Sequence, residues 1–261
     1  MRSMWTGAIS FGLVNIPIKL YKASESSRLD FDLLRRDDRC RIRYVRVCGE
    51  TGEEVPYEDI VKGYEYEKGR YVILEDKDFE KANVRKTRTI DIMSFADVDE
   101  IDEKYIEQPY YLAPDEKAAQ AYGLLREALK ESKKVAIARF VLRSREHLAM
   151  LQAEGDVIVL HQMRFAAEIR SPEELNLPGK VEAEERQMKM ALQLIEQLTE
   201  PWNPEQYKDT YVEDLMRIIE QKARGEEIEA EEEPVPIEVV DLFAQLSKSL
   251  EMVREGREQK E

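Results

Sequence analysis

The strongest constraint on the fold is a change in hydrophobic pattern near Pro172. Before this proline, short apolar or alternating runs are separated by turn residues, a pattern typical of β-strands. Six runs are predicted as strands, at 5–14, 41–47, 70–75, 88–95, 134–143 and 156–165. One helix is predicted among them, over 116–130. Many strands with one helix favour a β-barrel or a curled sheet.

The chain after Pro172 is predicted to be helical. Helices over 181–200 and 204–225 each carry an apolar face at helical spacing. These faces consist of Met188, Leu192, Ile195 and Leu198 in the first helix, and of Tyr207, Tyr211, Leu215 and Ile218 in the second. Residues 226–236 are acidic and contain prolines, as many linkers do. We therefore predict a mainly β fold with helical arms (α+β).

A final apolar seam lies in the last region of the chain, 237–261. It consists of Val239, Phe243, Leu246 and Leu250, at spacings typical of one face of a short helix. The predicted organisation therefore has four parts, namely a β-rich region over 1–172, a helical arm over 173–225, a linker over 226–236 and a terminal helix over 237–261.

Charge is distributed unevenly along the chain. The formal net charge is −15, but residues 173–261 alone hold 24 acidic and 11 basic residues. Residues 1–46 hold 10 basic and 5 acidic residues, and residues 130–147 hold 6 and 2. Attraction to phosphate depends on the local potential. The acidic total therefore does not exclude nucleic acid as a partner.

The two basic segments are the candidate binding residues. The first contains Arg35, Arg36, Arg39, Arg41, Arg43 and Arg46, and the second contains Lys133, Lys134, Arg139, Arg143 and Arg145. Strand alternation predicts one face for Arg39, Arg41 and Arg43, and one face for the three arginines of the second segment. Such rows suit a polyanion, because arginine holds phosphate oxygens without reading bases. The alternative is a solvated face whose arginines pair with this protein's many carboxylates.

Residues that carry catalysis or bind metals are scarce. The two histidines, His147 and His161, stand in unrelated contexts, and packing or surface roles explain them. No phosphate-binding loop and no hydrolase or metalloprotease motif is found. Cys40 and Cys48 could supply at most two of four zinc ligands. We therefore predict no enzymatic activity, no metal and no cofactor. No apolar run approaches the ~20 residues needed to span a bilayer. Two cysteines and an N-terminus that does not resemble a signal peptide predict a cytoplasmic protein.

Several segments resemble the prokaryotic Ku proteins, the end-binding factors of bacterial non-homologous end joining. They include MWTGAISFGLVNIPIKLYKA, RIRYVRVC, EQPYYLAPDEKAAQAYGLL, VAIARFVLRSREHLAML and VDLFAQLSKSLE. The matching segments run in collinear order over almost the whole chain. The resemblance implies a homodimer whose barrels and bridging arms close a ring around duplex DNA, with no nuclease or ligase activity. We expect helices 181–200 and 204–224 and the segment around 85–114 to form most of the dimer interface.

The resemblance also assigns roles to the features described above. It makes the basic segments the surface that contacts DNA ends at any sequence, in a nucleoid-associated protein. Many relatives carry C-x-x-C-G where this chain has Cys48-Gly49-Glu50-Thr51, so the second cysteine is missing and a zinc site is not expected.

In the family, the terminal region is associated with recruiting DNA ligase D. The seam of 237–261 is therefore a candidate docking face, and the alternative is that it folds back on its own core. Two other functions stay open. One is a barrel-based protein-interaction scaffold without DNA threading. The other is a weak lyase activity on abasic ends, which the sequence does not specifically support.

Overall fold

The computed structural model describes residues 1–25, 29–82, 88–143, 145–179 and 184–226. The chain forms two compact units. The first is made of Met1–Ser26 and Asp30–Ser171, and the second contains Pro172–Glu261.

The described part of the first unit contains nine strands and two α-helices. The strands are β1 (Trp5–Phe11), β2 (Val14–Lys22), β3 (Lys62–Glu67), β4 (Arg70–Leu74), β5 (Thr89–Asp97), β6 (Ile106–Pro114), β7 (Lys134–Leu142), β8 (Arg145–Glu154) and β9 (Val157–Met163). The helices are α1 (Asp76–Ala82) and α2 (Ala119–Ser132). Seven strands close into a barrel in the order β1-β2-β6-β9-β8-β7-β5. Among the strand pairs that the structure describes, only β1 and β5 are parallel. The predicted barrel-based fold with helices is confirmed.

Alternation of side chains builds the barrel core. In β2, Ile16, Ile18 and Leu20 are buried, and the residues between them are exposed. Leu112 of β6 and Leu160 of β9 are fully buried in the same cluster. Burying each side chain of this size contributes about 1.5–3 kcal/mol, so these strands are held mainly by their inward faces.

Helix α2 packs at the end of the barrel where β6 ends and β9 begins. Its Tyr122, Leu125 and Leu129 are buried in the barrel core. The Tyr122 hydroxyl donates to the Leu112 carbonyl oxygen (2.6 Å) and accepts from the Ile158 N–H (2.7 Å). This hydroxyl therefore ties the helix to the last paired residues of β6 and β9.

A long excursion leaves the barrel between β2 and β5. It carries the β3–β4 hairpin and α1, and none of its residues from 29 to 79 is buried. The predicted strand over 41–47 is wrong, since this stretch makes only isolated bridges, Leu34 to Arg41 and Val47 to Glu54. No neighbouring strand extends either ladder, and side chains such as Val45 stay exposed.

The predicted strand over 5–14 is two strands joined by a tight turn. Gly12 has φ +59, which favours glycine, and Phe11 pairs with Val14 across the turn. The other predicted strands match β4, β5, β7 and β9, and the predicted helix over 116–130 matches α2. Strands β2, β3, β6 and β8 and helix α1 were not separately predicted.

The second unit contains α3 (Glu185–Leu198) and α4 (Thr210–Arg224). Helix α4 begins at Asp209, whose side chain accepts a hydrogen bond from the Val212 N–H, and ends at Gly225 with φ +76. The predicted helices were longer, since 204–206 form a separate 3-10 turn. Neither helix has a buried residue. Among the helices that the structure describes, none is long and apolar enough to cross a membrane.

Candidate nucleic-acid interface

The first basic segment lies in the exposed excursion. Two of its arginines already have carboxylate partners. Arg35 pairs with Asp38, and the Arg41 guanidinium lies 2.5 Å from Asp32. The Arg35 guanidinium and the Cys40 N–H lower the pKa of Asp38 to about 2, so this carboxylate is charged at pH 7. Each of these two arginines already shares its charge with a carboxylate, which weakens its attraction for a phosphate.

The other four arginines of this segment are less committed. Arg46 lies 5.0 Å from the centroid of the Tyr57 ring. The side chains of Arg36, Arg39 and Arg43 form no hydrogen bond or ion pair with any residue that the structure describes. They are exposed and therefore available to an anion in solution.

The predicted row of Arg39, Arg41 and Arg43 on one strand face is wrong as geometry. No strand forms here, and Arg39 has φ +58 within a turn closed by Arg35 and Cys40. A left-handed residue breaks strand alternation. Contact between these arginines and DNA stays a prediction.

The second basic segment is divided along the length of β7. Lys133 ends α2 with φ 55. Lys134 begins β7, and its amine lies 2.6 Å from the Asp97 carboxylate. Arg139 lies mid-strand on the exposed face, 3.8 Å from Glu146. A strand of this length spans about 26 Å, so Lys134 and Arg143 lie near opposite ends of the barrel.

The predicted single face of Arg139, Arg143 and Arg145 is also wrong as geometry. The chain reverses after Leu142, which pairs with Arg145 in the β7–β8 hairpin. Arg143 therefore lies in the turn, with φ 52, and Arg145 begins the next strand. Alternation cannot continue through a chain reversal. The role of each arginine at DNA stays a prediction.

Arg143 and Arg145 are nevertheless brought together at one end of the barrel. Both line a cleft of about 350 Å³ with Lys22 and His147. Sequence reasoning missed Lys22. The signal was present in β2, since Ile16, Ile18 and Leu20 alternate inward and Lys22 continues their register.

The histidines and cysteines do not form a metal site among the residues that the structure describes. Burial and the neighbouring Arg145 guanidinium hold the pKa of His147 below its usual value, so the ring is neutral at pH 7. His161 Nε2 lies 3.3 Å from the Glu154 carboxylate. Cys40 and Cys48 are free thiols.

The C-terminal predictions lie outside the described residues. These are most of the linker 226–236 and the whole of 237–261, with Val239, Phe243, Leu246 and Leu250.

Comparison with known proteins gives full-length matches. Residues 10–190 match the family model of the Ku70/Ku80 beta-barrel domain. The chain is 46% identical over 264 residues to the non-homologous end joining protein Ku of Opitutus terrae, and the alignment covers 100% of this chain and 95% of that protein. The protein of the same name from Cupriavidus necator is 44% identical, and the alignment covers 100% of this chain and 80% of the relative. The protein of the same name from Pseudomonas aeruginosa is 40% identical, and the alignment covers 95% of this chain and 88% of the relative.

Proposed function

The chain belongs to the Ku family, and on that premise we propose that it binds the ends of double-stranded DNA, without sequence preference, in non-homologous end joining. The observation that carries this proposal is the full-length similarity to relatives named for that process, at up to 46% identity. No cofactor and no catalytic step of its own form part of the proposed role.

Unpaired arginines support contact with the DNA backbone. Arg36, Arg39 and Arg43 are exposed and have no side-chain partner in the described part of the chain. Such cations can bind phosphates at any sequence, because phosphate contacts position a protein without reading bases. Residues 173–261 hold an excess of carboxylates, which repel DNA. This repulsion favours DNA binding at the surface that carries the exposed arginines. We propose that the protein acts at the nucleoid.

A homodimeric ring is the arrangement that we propose for end binding. The apolar faces of α3 and α4 support it, because Leu192, Ile195 and Tyr211 are 57%, 62% and 71% exposed. Large apolar side chains grouped on a helix face commonly mark an interface. We propose that these helices, with the segment around 85–114, form the dimer contact, at a scale of about 2,000 Å² or more for an obligate dimer.

The excursion between β2 and β5 is proposed as the arm that closes the ring. It is long, it contributes no buried residue from 29 to 79, and it holds the unpaired arginines. An arm that contributes nothing to its own barrel core is free to pass around a ligand. The region 1–172 would then supply the barrel, the arm and the segment around 85–114 of the dimer contact, and 173–225 would supply the helices of that contact.

Recruitment of DNA ligase D is proposed for the terminal region 237–261, through Val239, Phe243, Leu246 and Leu250. Support comes from their apolar spacing after the acidic linker 226–236. Deletion of 237–261 distinguishes this role from the alternative, in which the seam folds back on its own core.

The proposed function is tested by competition between two forms of DNA in a mobility shift. Linear duplexes of about 30 base pairs should shift at every sequence tried, and closed circular DNA should not compete. The apparent affinity should fall with salt, with a log–log slope of roughly −0.9 per phosphate neutralised. Equal competition by closed circles would leave general DNA binding but remove the requirement for an end. No shift with either form would favour the protein-interaction scaffold.

A further inference from the structure

The two ends of the barrel differ in chemistry. At one end α2 packs against the core, through Tyr122 and its neighbours. At the other end β2 and β7 finish and β6 and β8 begin. We call this second end the barrel mouth, and it contains the cleft of about 350 Å³.

The inward faces of the strands become polar as they reach the mouth. In β2, the inward positions run from Leu20 to Lys22. In β6 they run from Leu112 through Tyr110 to Gln108, all on one side of the strand. Because side chains alternate in a strand, these polar groups point along the same inner face as the core.

The neighbouring strands repeat this change. In β8 the inward positions run from buried Ala149 to His147, and in β9 from buried Leu160 to Gln162. Four strands of the barrel thus turn polar at the same end. If the mouth had only a structural role, apolar side chains would be expected to close it, as those of α2 close the opposite end of the barrel.

The mouth carries a positive charge that its surroundings do not neutralise. The side chains of Lys22 and Arg143 form no hydrogen bond or ion pair with any described residue. Arg145 is shared, since its guanidinium lies 3.1 Å from Glu168. Glu107, on the adjacent wall, accepts a hydrogen bond from the Gln162 amide (2.9 Å) and remains a negative charge beside the mouth, because that amide is neutral. An anion that enters the cleft therefore meets two uncommitted cations.

The Tyr110 hydroxyl faces the same cleft. The residue is only 5% exposed, but its hydroxyl oxygen is not buried and makes no hydrogen bond within the described part of the chain. Burial of the ring raises the pKa of Tyr110, so the phenol keeps its proton and can donate. A ligand oxygen in the cleft can accept this hydrogen bond in place of water.

The backbone at Arg143 supports a selected position. Leu142 pairs with Arg145, so the hairpin loop has two residues, and its first, Arg143, has φ 52. Turns of this kind favour asparagine or glycine, because other residues are strained at positive φ. Strained residues are concentrated at functional sites, so an arginine at this position points to a role beyond the turn.

We propose that the barrel mouth is a binding site for a phosphate-bearing anion, held by Lys22, Arg143 and the Tyr110 hydroxyl, with Arg145 as a further cation. The cleft is at the lower end of the range of small-ligand sites. It therefore suits a phosphomonoester or a pyrophosphate group with little else attached. The site does not depend on the proposed function, because its residues would hold a free phosphate compound or the terminal phosphate of a DNA strand alike.

Calorimetric titration of the full-length protein with pyrophosphate, at constant ionic strength, tests the site. The wild type should bind one pyrophosphate per chain with saturation. Arg143→Asn and Lys22→Gln should each weaken binding about tenfold, the effect of losing one charge-assisted hydrogen bond. Arg139→Gln is the matched control, because Arg139 lies on the strand that leads into the Arg143 turn but on its exposed face, outside the cleft. It should change the affinity less than twofold.

Arg143→Asn also separates binding from folding. Asparagine suits positive φ, so the melting temperature of this variant should stay equal or rise while its affinity for pyrophosphate falls. Absence of saturable binding to the wild type would overturn the site. Equal weakening by Arg143→Asn and Arg139→Gln would also overturn it, because the effect would then be general surface charge.

Two duplexes of one sequence, with 5′-phosphate and with 5′-hydroxyl ends, identify the source of the phosphate. If the strand end is the ligand, the wild type should prefer the phosphorylated duplex, and Arg143→Asn should lose that preference. Equal affinity for both duplexes, with pyrophosphate binding intact, would assign the site to a free phosphate compound. If the wild type binds DNA ends but does not bind pyrophosphate, the site is refuted and the proposed function stands.

Discussion

The Tyr122 hydroxyl should stabilise the barrel more than any surface contact of its size. It joins the Leu112 carbonyl and the Ile158 N–H, whose residues are fully buried. Tyr122→Phe keeps the ring in the core and removes only the oxygen. Two buried backbone groups would lose this partner, at about 1–3 kcal/mol for each one left unsatisfied. We expect the free energy of unfolding to fall by about 2–4 kcal/mol, measured by urea denaturation.

Tyr111→Phe is the control for this substitution. Tyr111 lies on β6 next to Leu112, but its hydroxyl has no hydrogen-bond partner in the described part of the chain. It should cost less than about 0.5 kcal/mol, as surface changes do. A loss of similar size in both variants, or a loss below about 0.5 kcal/mol for Tyr122→Phe, would refute the view that this hydroxyl ties α2 to the barrel.

Three further predictions concern DNA contact, assembly and partner docking. Arg43→Gln should weaken binding to linear duplexes uniformly across sequences and flatten the salt dependence, whereas Arg41→Gln should weaken it less, because Arg41 already pairs with Asp32. Light scattering at micromolar concentration should give a dimer mass for the wild type, and Ile195→Glu should shift it toward the monomer, since this side chain is 62% exposed on the apolar face of α3; a monomeric wild type would contradict the ring. Deleting 237–261 should leave end binding intact and reduce stimulation of end joining by DNA ligase D, and unchanged stimulation would favour the fold-back alternative.

The barrel could be predicted from sequence because most of its strands have one inward apolar face. The individual strands were harder to find. In β2 the buried Ile16, Ile18 and Leu20 alternate cleanly, but Pro17 between them lacks an N–H and argues against a strand. Its side chain lies on the exposed face, so the inward register is unaffected. The position of Pro17 on the exposed face, which lets the inward register continue, is visible only in the paired structure.

The candidate site could be predicted only in part, for a different physical reason. Charge density identified the two basic segments, but alternation predicts a shared face only inside a real strand. The stretch 41–47 has no strand partner, and Arg143 lies in a turn. The barrel mouth brings Lys22 to Arg143 from a distant part of the sequence. Their position in one cleft depends on barrel closure, which local patterns do not specify.

Threading on DNA is tested most directly by blocking the ends of one linear duplex. A duplex of about 60 base pairs with biotin at both ends is offered to the protein in two orders of addition. If streptavidin blocks the ends first, threading predicts no binding above the level for closed circles. If the protein is loaded first and the ends are then blocked, it predicts a complex that survives a large excess of linear competitor. Binding that is the same in both orders, and is removed by competitor in both, would contradict encirclement of a free end.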